Sequence, residues 1–426
     1  MIEAINLYKG SKIRKGVYLN IIATTMLAVI GIVPLLDRDL DQAIRLGIFF
    51  FWIVTLPSVG SLRGNALGKK IIIGWLVFFL LQALYSLIGM SRELTYFLAR
   101  LYIYALPVAM VYVTSFYNRK ELNILWYSIL FVFVFCLVQN FFIGSTGDDE
   151  IFEITSEVRG SNVGGTAFVT GCMFIIPSLW LVFKKGDKKL LRFISIGVIG
   201  GSVFYMLVLN SRTTLLVVFG VLVAGMIMAD RSVKRAATKR LVFRMVLLLI
   251  VMMVIAAPIL TKLAGYYGDV LRMSDRLEDL AFAAGGGDIN DLGRGSLYYR
   301  YLLWQASITT FFSSVPNFLF GVGEKEVVLD LYSHINSGVG GHSEIFDLAA
   351  RYGIIGIMIY FYMISKTFRF LLRITKDMRI KNCMVVVLTC VVMYSFVNNT
   401  TTQACTMVML YLFMPITLIL LNNEEL

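Results

Sequence analysis

The side chains with the clearest potential for chemistry are one histidine and three arginines. His342 lies in the stretch HINSGVGGHSEIFDLAARYGIIG, which also contains the only other histidine, His334. Ser343 is predicted to cap a helix, with Glu344 in its first turn. The positive end of a helix disfavours imidazolium, and a neutral imidazole can accept a proton as a general base. The alternative is a histidine that only hydrogen-bonds a loop backbone.

The three arginines, Arg159, Arg212 and Arg300, point to an anionic ligand. The planar guanidinium fork suits a diphosphate. Arg212 is the clearest case, because the nearest acidic residue in sequence after it is Asp230, at the far end of the next predicted helix. Each has a structural alternative: Arg212 and Arg300 could lie at a helix end with the charged group at headgroup depth, and Arg159 could pair with Glu153 or Glu157.

The elements that must position these residues are membrane helices. The chain has 426 residues, is 58% hydrophobic and only 15% charged, and has a mean hydropathy of +0.77. A membrane helix needs about 20 apolar residues, and the sequence supplies such runs repeatedly. We predict twelve spans, at 17–36, 43–60, 71–90, 95–116, 121–143, 165–183, 190–208, 213–229, 241–262, 345–368, 383–398 and 404–421.

The basic residues indicate how these spans are oriented. Most of the 39 Lys and Arg residues fall in alternate loops, and the loops between them are acidic or neutral. By the positive-inside rule, both termini are cytoplasmic and the long loop is external. The net charge of +12 forms no continuous basic patch, so no nucleic-acid partner is expected.

The chain therefore divides into three parts. Residues 1–262 contain the first nine transmembrane helices, 263–344 form the external loop, and 345–426 contain the last three helices. The fold class predicted is an all-α polytopic membrane protein with about twelve transmembrane helices. Membrane lipid is therefore an expected partner of this chain.

An interfacial helix is predicted inside the external loop. Leu297, Tyr301, Trp304, Ile308 and Phe311 recur at helical spacing and form one apolar face. Tyrosine and tryptophan on such a face suit the headgroup level of a bilayer.

Two local predictions complete the loop. Pro316 and the glycines Gly321 and Gly323 are expected to end the interfacial helix. In the helix that follows His342, Asp347 lies four residues before Arg351, so an ion pair between them is favoured over substrate contact.

Several stretches together resemble the O-antigen polymerase and ligase superfamily (Wzy and WaaL types). They are EVRGSNVGGTAF, LNSRTTLL, YYRYLLWQASITTF, FFSSVPNFLFGVGEKE and GHSEIFDLAARYGIIG. The similarity runs from Arg159 to Gly356, about half of the chain, and its strength lies in the order and spacing of the motifs.

This resemblance implies a glycosyltransferase of the bacterial cytoplasmic (inner) membrane, acting on its external face. The substrates would be undecaprenyl-diphosphate-linked oligosaccharides, polymerised into O-antigen or capsular polysaccharide. Catalytic residues would be His342, Arg212 and Arg300, with Arg212, Arg300 and Arg159 binding the substrate diphosphate. His342 would activate the acceptor hydroxyl or else position the diphosphate. A chain-length regulator and a flippase of the same pathway would be partners.

Cofactor and metal chemistry find no clear place in the sequence. No Walker loop and no GxGxxG after a strand is present, so no cofactor is expected. The two histidines lack zinc spacing, and the acidic loop from Asp37 to Asp41 is of a common type, so no metal is expected. The five cysteines lie in or beside apolar segments and are predicted to be buried thiols, not disulfides: Cys136, Cys172, Cys383, Cys390 and Cys405.

Three alternatives stay open. The closest is the ligase, which transfers the same donor glycan to the lipid A core. A flippase for the same lipid-linked oligosaccharide should show related halves and charged residues at mid-membrane. A non-catalytic subunit of an assembly complex would tolerate substitution of His342 or Arg212.

Overall fold

The structure is a computed structural model that describes residues 17–33, 38–56, 66–88, 101–145, 166–186, 188–208, 296–323, 343–396, 398–400 and 403–422. These residues form helices and contain no strand, as predicted for the fold class. The helices are α1 Tyr18–Ile32, α2 Arg38–Thr55, α3 Ala66–Leu87, α4 Leu101–Phe116, α5 Arg119–Ser145, α6 Thr166–Lys185, α7 Lys189–Val208, α8 Ser296–Phe312, α9 Val315–Phe320, α10 Glu344–Ile374, α11 Met378–Ser395 and α12 Ala404–Asn422.

Predicted spans coincide with α1 to α7 and with α10 to α12, while the predicted spans 213–229 and 241–262 lie outside the described residues. Within the described part, four helices are long and apolar enough to cross a membrane, and three more are apolar but shorter. The four are α3, the Arg119–Gln139 part of α5, α10 and α12. The bundle therefore has the composition of a membrane protein.

The centre of the bundle is α12. Its most apolar stretch is 94% buried, whereas the corresponding stretch of α3 is 33% buried. Two glycines let neighbouring helices approach it closely: a Cβ on Gly31 would meet Val408, and a Cβ on Gly171 would meet Cys405. Small residues at helix crossings allow this close packing inside membranes. Part of α12, Met409–Phe413, is a π-helical segment.

Polar contacts join residues for which the sequence predicts the same side of the membrane. Lys185, the last residue of α6, forms an ion pair with Asp377, between α10 and α11. Glu344, at the other end of α10, accepts hydrogen bonds from Thr400, before α12. These contacts place the end of α6 beside the connection between α10 and α11, and the start of α10 beside the residues before α12. The assignment of each end to the cytoplasm or the exterior stays a prediction.

A short, tightly fixed connection joins α4 to α5. The Asn118 side chain accepts from the backbone N–H of Glu121 (3.1 Å), and the Glu121 carboxylate accepts from the N–H of Asn118 (2.8 Å). This reciprocal arrangement satisfies two backbone donors at the start of α5. It fixes the angle at which α5 leaves the turn.

The cysteine prediction is confirmed for the four whose side chains are described. Cys136, Cys172, Cys383 and Cys405 are free and buried. The side chain of Cys390 lies outside the described part of the structure.

Candidate functional site at the start of α10

The four predicted site residues lie at or beyond the limits of the described structure. Arg159, Arg212 and His342 are outside the described residues. Arg300 lies on α8, where its backbone is helical and its side chain is not described. The site is therefore built from the neighbours of His342 and Arg300.

Ser343, the residue that directly follows His342, begins α10 as predicted. Its backbone is extended (φ −147°, ψ 113°), and its hydroxyl accepts from the N–H of Phe346 at 3.2 Å. This side chain satisfies one of the free donors of the first helical turn. The hydroxyl also lies 3.5 Å from the carbonyl oxygen of Ser395, to which it donates. The chain therefore leaves His342 into a capped helix start that is held to the end of α11.

The helix of the external loop packs against this helix start. The Ser307 hydroxyl donates to the Asp347 carboxylate at 3.1 Å, and both side chains are buried. The rings of Trp304 and Phe346 meet edge to face with their centroids 6.3 Å apart. Arg300 lies about one helical turn before Trp304 on α8. The structure thus brings the helix that carries Arg300 against the helix that begins after His342.

The face of α8 that is buried inside the protein overlaps only in part with the predicted apolar face. Leu303, Ser307 and Phe311 are buried, whereas Ile308 is 39% exposed. The hydroxyl of Ser307 donates to Asp347 from this buried face. The apolar face was assigned to the membrane interface and not to the protein interior, so the exposure of Ile308 does not contradict it, and the interfacial placement of α8 stays a prediction.

The predicted end of α8 also needs correction. The helix ends at Phe312, and Pro316 lies in the first turn of a separate short helix, α9, whose N-cap is Ser314. A proline is tolerated in a first helical turn, where its missing N–H would have no partner within the helix. Gly321, at φ 75°, is the C-cap of α9. The glycines therefore end the second helix rather than the first.

Two buried carboxylates belong to the site and were not predicted as functional. Glu344 is 2% exposed and Asp347 is 3% exposed. Glu344 accepts from the N–H of Thr400 at 2.8 Å and from the Thr400 hydroxyl, which in turn lies 2.7 Å from the hydroxyl of Ser395. A carboxylate in the first turn also interacts favourably with the helix dipole. We call this arrangement the Glu344 latch.

The sequence offered one indication that Glu344 and Asp347 belong to the site, which is that both closely follow His342. Both lie within GHSEIFDLAARYG, directly after His342, and the hydroxyl-rich stretch NNTTTQ supplies Thr400. The pairing of Glu344 with Thr400 spans a long separation in sequence, and no local pattern encodes it. The predicted ion pair between Asp347 and Arg351 stays a prediction.

The helix α10 is broken at Gly353, where φ is 62° and ψ is −163°. This conformation is one that glycine adopts readily and other residues avoid. The break leaves the carbonyls of Ala350 and Arg351 to accept from the N–H groups of Val322 (2.9 Å) and Gly323 (2.8 Å). The segment after α9 and the break in α10 therefore satisfy each other's backbone groups.

The backbones of α9 and α10 cross so closely that there is no room for a side chain at Gly353 or Gly321. A Cβ on Gly353 would overlap the backbone of Leu319 at its carbonyl, and a Cβ on Gly321 would overlap the carbonyl of Arg351. Tyr85 of α3 adds a hydrogen bond to the carbonyl of Phe320. The glycines of the two motifs thus have one shared role, which is to fix the loop helices on α10.

The arrangement can hold the loop helix α8, the start of α10 and the turn before α12 in one rigid unit. No group of three or more His, Cys, Asp or Glu residues suited to a metal ion occurs within the described part of the chain. No protein-family model matches the chain, and no curated protein is significantly similar to it.

Proposed function

We propose that this chain is a membrane glycosyltransferase that polymerises undecaprenyl-diphosphate-linked oligosaccharide repeat units on the external face of the bacterial cytoplasmic membrane. The product is an O-antigen or capsular polysaccharide. The proposal includes twelve spans, with 213–229 and 241–262 completing the set, and both termini in the cytoplasm.

One observation supports this proposal most directly. The helix that carries Arg300 packs on the helix that begins immediately after His342, through Ser307 with Asp347 and Trp304 with Phe346. These two residues are far apart in sequence. Their neighbours are in contact, as a shared site would require.

In the proposed reaction, the donor is a growing glycan on undecaprenyl diphosphate and the acceptor is a hydroxyl of a fresh lipid-linked repeat unit. The acceptor oxygen attacks the anomeric carbon of the donor, and the bond from that carbon to the diphosphate oxygen breaks. The electron pair of that bond leaves with undecaprenyl diphosphate. His342 takes the acceptor proton.

Arg212 and Arg300 would hold the donor diphosphate and neutralise the negative charge that develops on the leaving group. Arg159 would help to orient a substrate. Because the arginines supply the positive charge, the proposed reaction needs no metal ion. Loss of activity on addition of a chelator, restored by a divalent cation, would count against this part of the proposal.

The Glu344 latch and the Ser343 cap support the assignment of His342 as the base. A general base must lie within hydrogen-bonding reach of the proton it removes, and small displacements reduce catalysis strongly. Both interactions restrain the residues that directly follow His342.

The test is to reconstitute the purified full-length chain in nanodiscs with the undecaprenyl-diphosphate-linked repeat unit alone and to separate the products on a gel. We expect a ladder of multimers that is lost in His342→Ala and Arg212→Ala. His334→Ala and Arg369→Ala are the matched controls, since Arg369 is exposed on the opposite part of α10, and both should retain the ladder.

The ligase is the second candidate, because the same motifs resemble both activities. Transfer of the glycan to lipid A core, without a ladder from the repeat unit alone, would assign the chain to that reaction. No product with either acceptor would exclude both transferases and favour the flippase. A flippase and a chain-length regulator of the same pathway are the partners we propose for the polymerase.

A further inference from the structure

The loop helices α8 and α9 form a hairpin whose tip is strongly apolar and exposed. Val315 is 72% exposed and Phe312 is 67% exposed, and Phe318, Leu319 and Phe320 beside them are also exposed. An exposed apolar cluster of this kind is unusual on a surface that faces water. The position of the tip along the length of the bundle indicates what covers it.

The position of the tip can be measured along helices α3 and α10. They pack side by side and run in opposite directions, since Gly74 lies against Met363 at one level and the rings of Tyr85 and Tyr352 lie 5.3 Å apart at another. Lys70, in the second turn of α3, and Lys366, in the last third of α10, therefore lie toward the same end of the bundle.

Both helices place the hairpin at the same level. At a rise of about 1.5 Å per residue, Gly353 lies about 20 Å from Lys366 along α10, and Tyr85 lies about 22 Å from Lys70 along α3. Gly353 touches Leu319, and Tyr85 donates to the Phe320 carbonyl. The hydrocarbon core of a bilayer is about 30 Å thick. If the lysines mark one boundary of that core, the end of α9 lies about 10 Å inside the opposite boundary.

Several polar groups of the hairpin find partners within the protein, which is what backbone inside a bilayer requires. In the turn, the Ser314 hydroxyl accepts from the N–H of Asn317, and the Ser314 carbonyl accepts from the N–H of Phe318. The Asn317 side chain donates to the hydroxyl of Ser313, which itself donates to the Thr310 carbonyl.

The same holds where α9 ends. Gly321 donates to the Asn317 carbonyl, and Val322 and Gly323 donate to the carbonyls released by the break in α10. Pro316 has no N–H to satisfy. In hydrocarbon, the carbonyls released by the break at Gly353 and the N–H groups that follow α9 would each be costly without a partner. Here they bond to each other.

Exposed apolar residues of a neighbouring helix lie close to the tip. Tyr85 of α3 bonds to Phe320, and next to Tyr85 along the chain Leu84, Leu87 and the following Ile88 are exposed, with Leu87 at 71%. Exposed leucines and isoleucines on a membrane-crossing helix face acyl chains. The exposed apolar residues of α3 and those of the tip thus lie close together.

We propose that the α8–α9 hairpin is a re-entrant element whose tip, from Phe312 to Phe320, contacts the acyl chains of the leaflet opposite Lys70 and Lys366. In the proposed topology this is the external leaflet. The hairpin enters and leaves on one side, so it adds no span and leaves the orientation of the other helices unchanged. The placement of the hairpin does not depend on the proposed reaction.

The test is collision accessibility of a nitroxide attached at Val315→Cys, in the full-length chain reconstituted in nanodiscs, with the five native cysteines replaced by alanine. Oxygen concentrates in hydrocarbon, and a polar nickel chelate concentrates in water, so the ratio of the two collision rates reports the surroundings. Leu87→Cys is the lipid-facing reference and Lys376→Cys, in an exposed connection, is the aqueous reference.

We expect the oxygen-to-nickel ratio at Val315→Cys to match that of Leu87→Cys and to be several-fold above that of Lys376→Cys. A ratio equal to that of Lys376→Cys would overturn the proposal and place the tip in water. Low collision rates with both reagents would overturn it as well, since they would show that another protein surface covers the tip.

A second variant guards against a folding defect. Phe312→Cys carries the label on the other side of the turn and should give the same ratio. A polar, membrane-impermeant maleimide provides an independent readout: it should modify Lys376→Cys readily and should leave both tip cysteines unmodified until the membrane is dissolved. Rapid modification of the tip in intact membranes would contradict the proposal.

Discussion

The centre of the bundle and the corner around the start of α10 are held together in different ways. In α12, from Cys405 to Leu421, almost every side chain is buried and apolar, and close packing is decided by side chains such as Cys405 and Val408. At the corner, the backbones of α9 and α10 touch directly, and buried carboxylates accept hydrogen bonds. The centre is stabilised by close packing of apolar side chains, and the corner is stabilised by hydrogen bonds with defined geometry.

This difference separates stability from positioning. Between membrane helices, apolar packing contributes free energy through close van der Waals contact, and it tolerates small rearrangements. A hydrogen bond to a carboxylate requires a narrow geometry and fixes the atoms that make it. We therefore expect substitutions in α12 to change the stability of the bundle, and substitutions at the corner to change the placement of His342 and Arg300.

The largest effect is expected from Gly353→Ala. The new Cβ would meet the backbone of Leu319 in a conformation that alanine avoids, so no side-chain movement can relieve the clash. Strain and overpacking together should reduce the free energy of unfolding by about 4 kcal/mol. The measurement is an SDS titration in mixed micelles.

The matched control is Gly197→Ala on α7, where nothing lies within 4 Å of a new Cβ. It should leave stability unchanged or slightly increase it, because alanine favours a helix more than glycine does. Equal stability of the two variants would show that the backbone crossing at Gly353 is not a fixed feature.

In the core, Gly171→Ala should cost about 1–3 kcal/mol of unfolding free energy, because the new Cβ would lie 2.5 Å from the Cys405 sulfur. Here the obstacle is a side chain, so the double variant Gly171→Ala/Cys405→Ala should recover most of the loss. The same titration measures both. Absence of rescue would mean that the helices cross at a different distance, and the contrast with Gly353 would fail.

The Glu344 latch is expected to affect activity more than stability. Glu344→Gln weakens the acceptor for the N–H and hydroxyl of Thr400, at a cost of about 1–2 kcal/mol. The ladder assay should show shorter or slower products while the bundle remains folded. Thr400→Val should have a similar effect, and the double variant should be no worse than the stronger single variant.

The control for the latch is a hydroxyl pair in the core, Thr170 with Thr406. Thr406→Val should lower stability by a similar amount and leave the ladder unchanged. If both pairs affected the ladder equally, the latch would have no special connection with the site.

The smallest effect is expected at the ion pair between Lys185 and Asp377. Both side chains are about one-third exposed, so water and salt screen the interaction. Lys185→Ala should change the free energy of unfolding by less than about 1 kcal/mol, and raising the salt concentration should remove that difference. A larger loss of unfolding free energy that does not depend on salt would show that the connection between α10 and α11 contributes more to stability than a surface ion pair does.

Hydropathy predicted most of the described helices because long apolar runs leave little choice of structure. It placed the ends less well: α2 begins at Arg38 and α11 at Met378, earlier than predicted in both cases. Most of the added residues are polar or charged, and they form the first turns outside the apolar stretch. Hydropathy does not detect such turns, because backbone hydrogen bonding rather than lipid contact stabilises them.

At the site, the local signal was sufficient for the Ser343 cap, since a serine before an acidic first turn is a local pattern. It was insufficient for the break at Gly353, which lies inside a run of apolar residues and depends on Val322 and Gly323 approaching from the loop. It was also insufficient for the latch, because Thr400 follows a further helix. The placement of Arg159, Arg212 and His342 stays a prediction.

The central position of α12 has a consequence for how the protein is made. Helices enter the membrane in the order of synthesis, and α12 follows every other helix described. Until it is inserted, the surfaces at Gly31 and Gly171 have no partner, so the earlier helices can only form a loose assembly. The innermost of the described helices is thus the last of them to be made, and a chain interrupted before α12 is expected to reach the cell's membrane proteases with its core open.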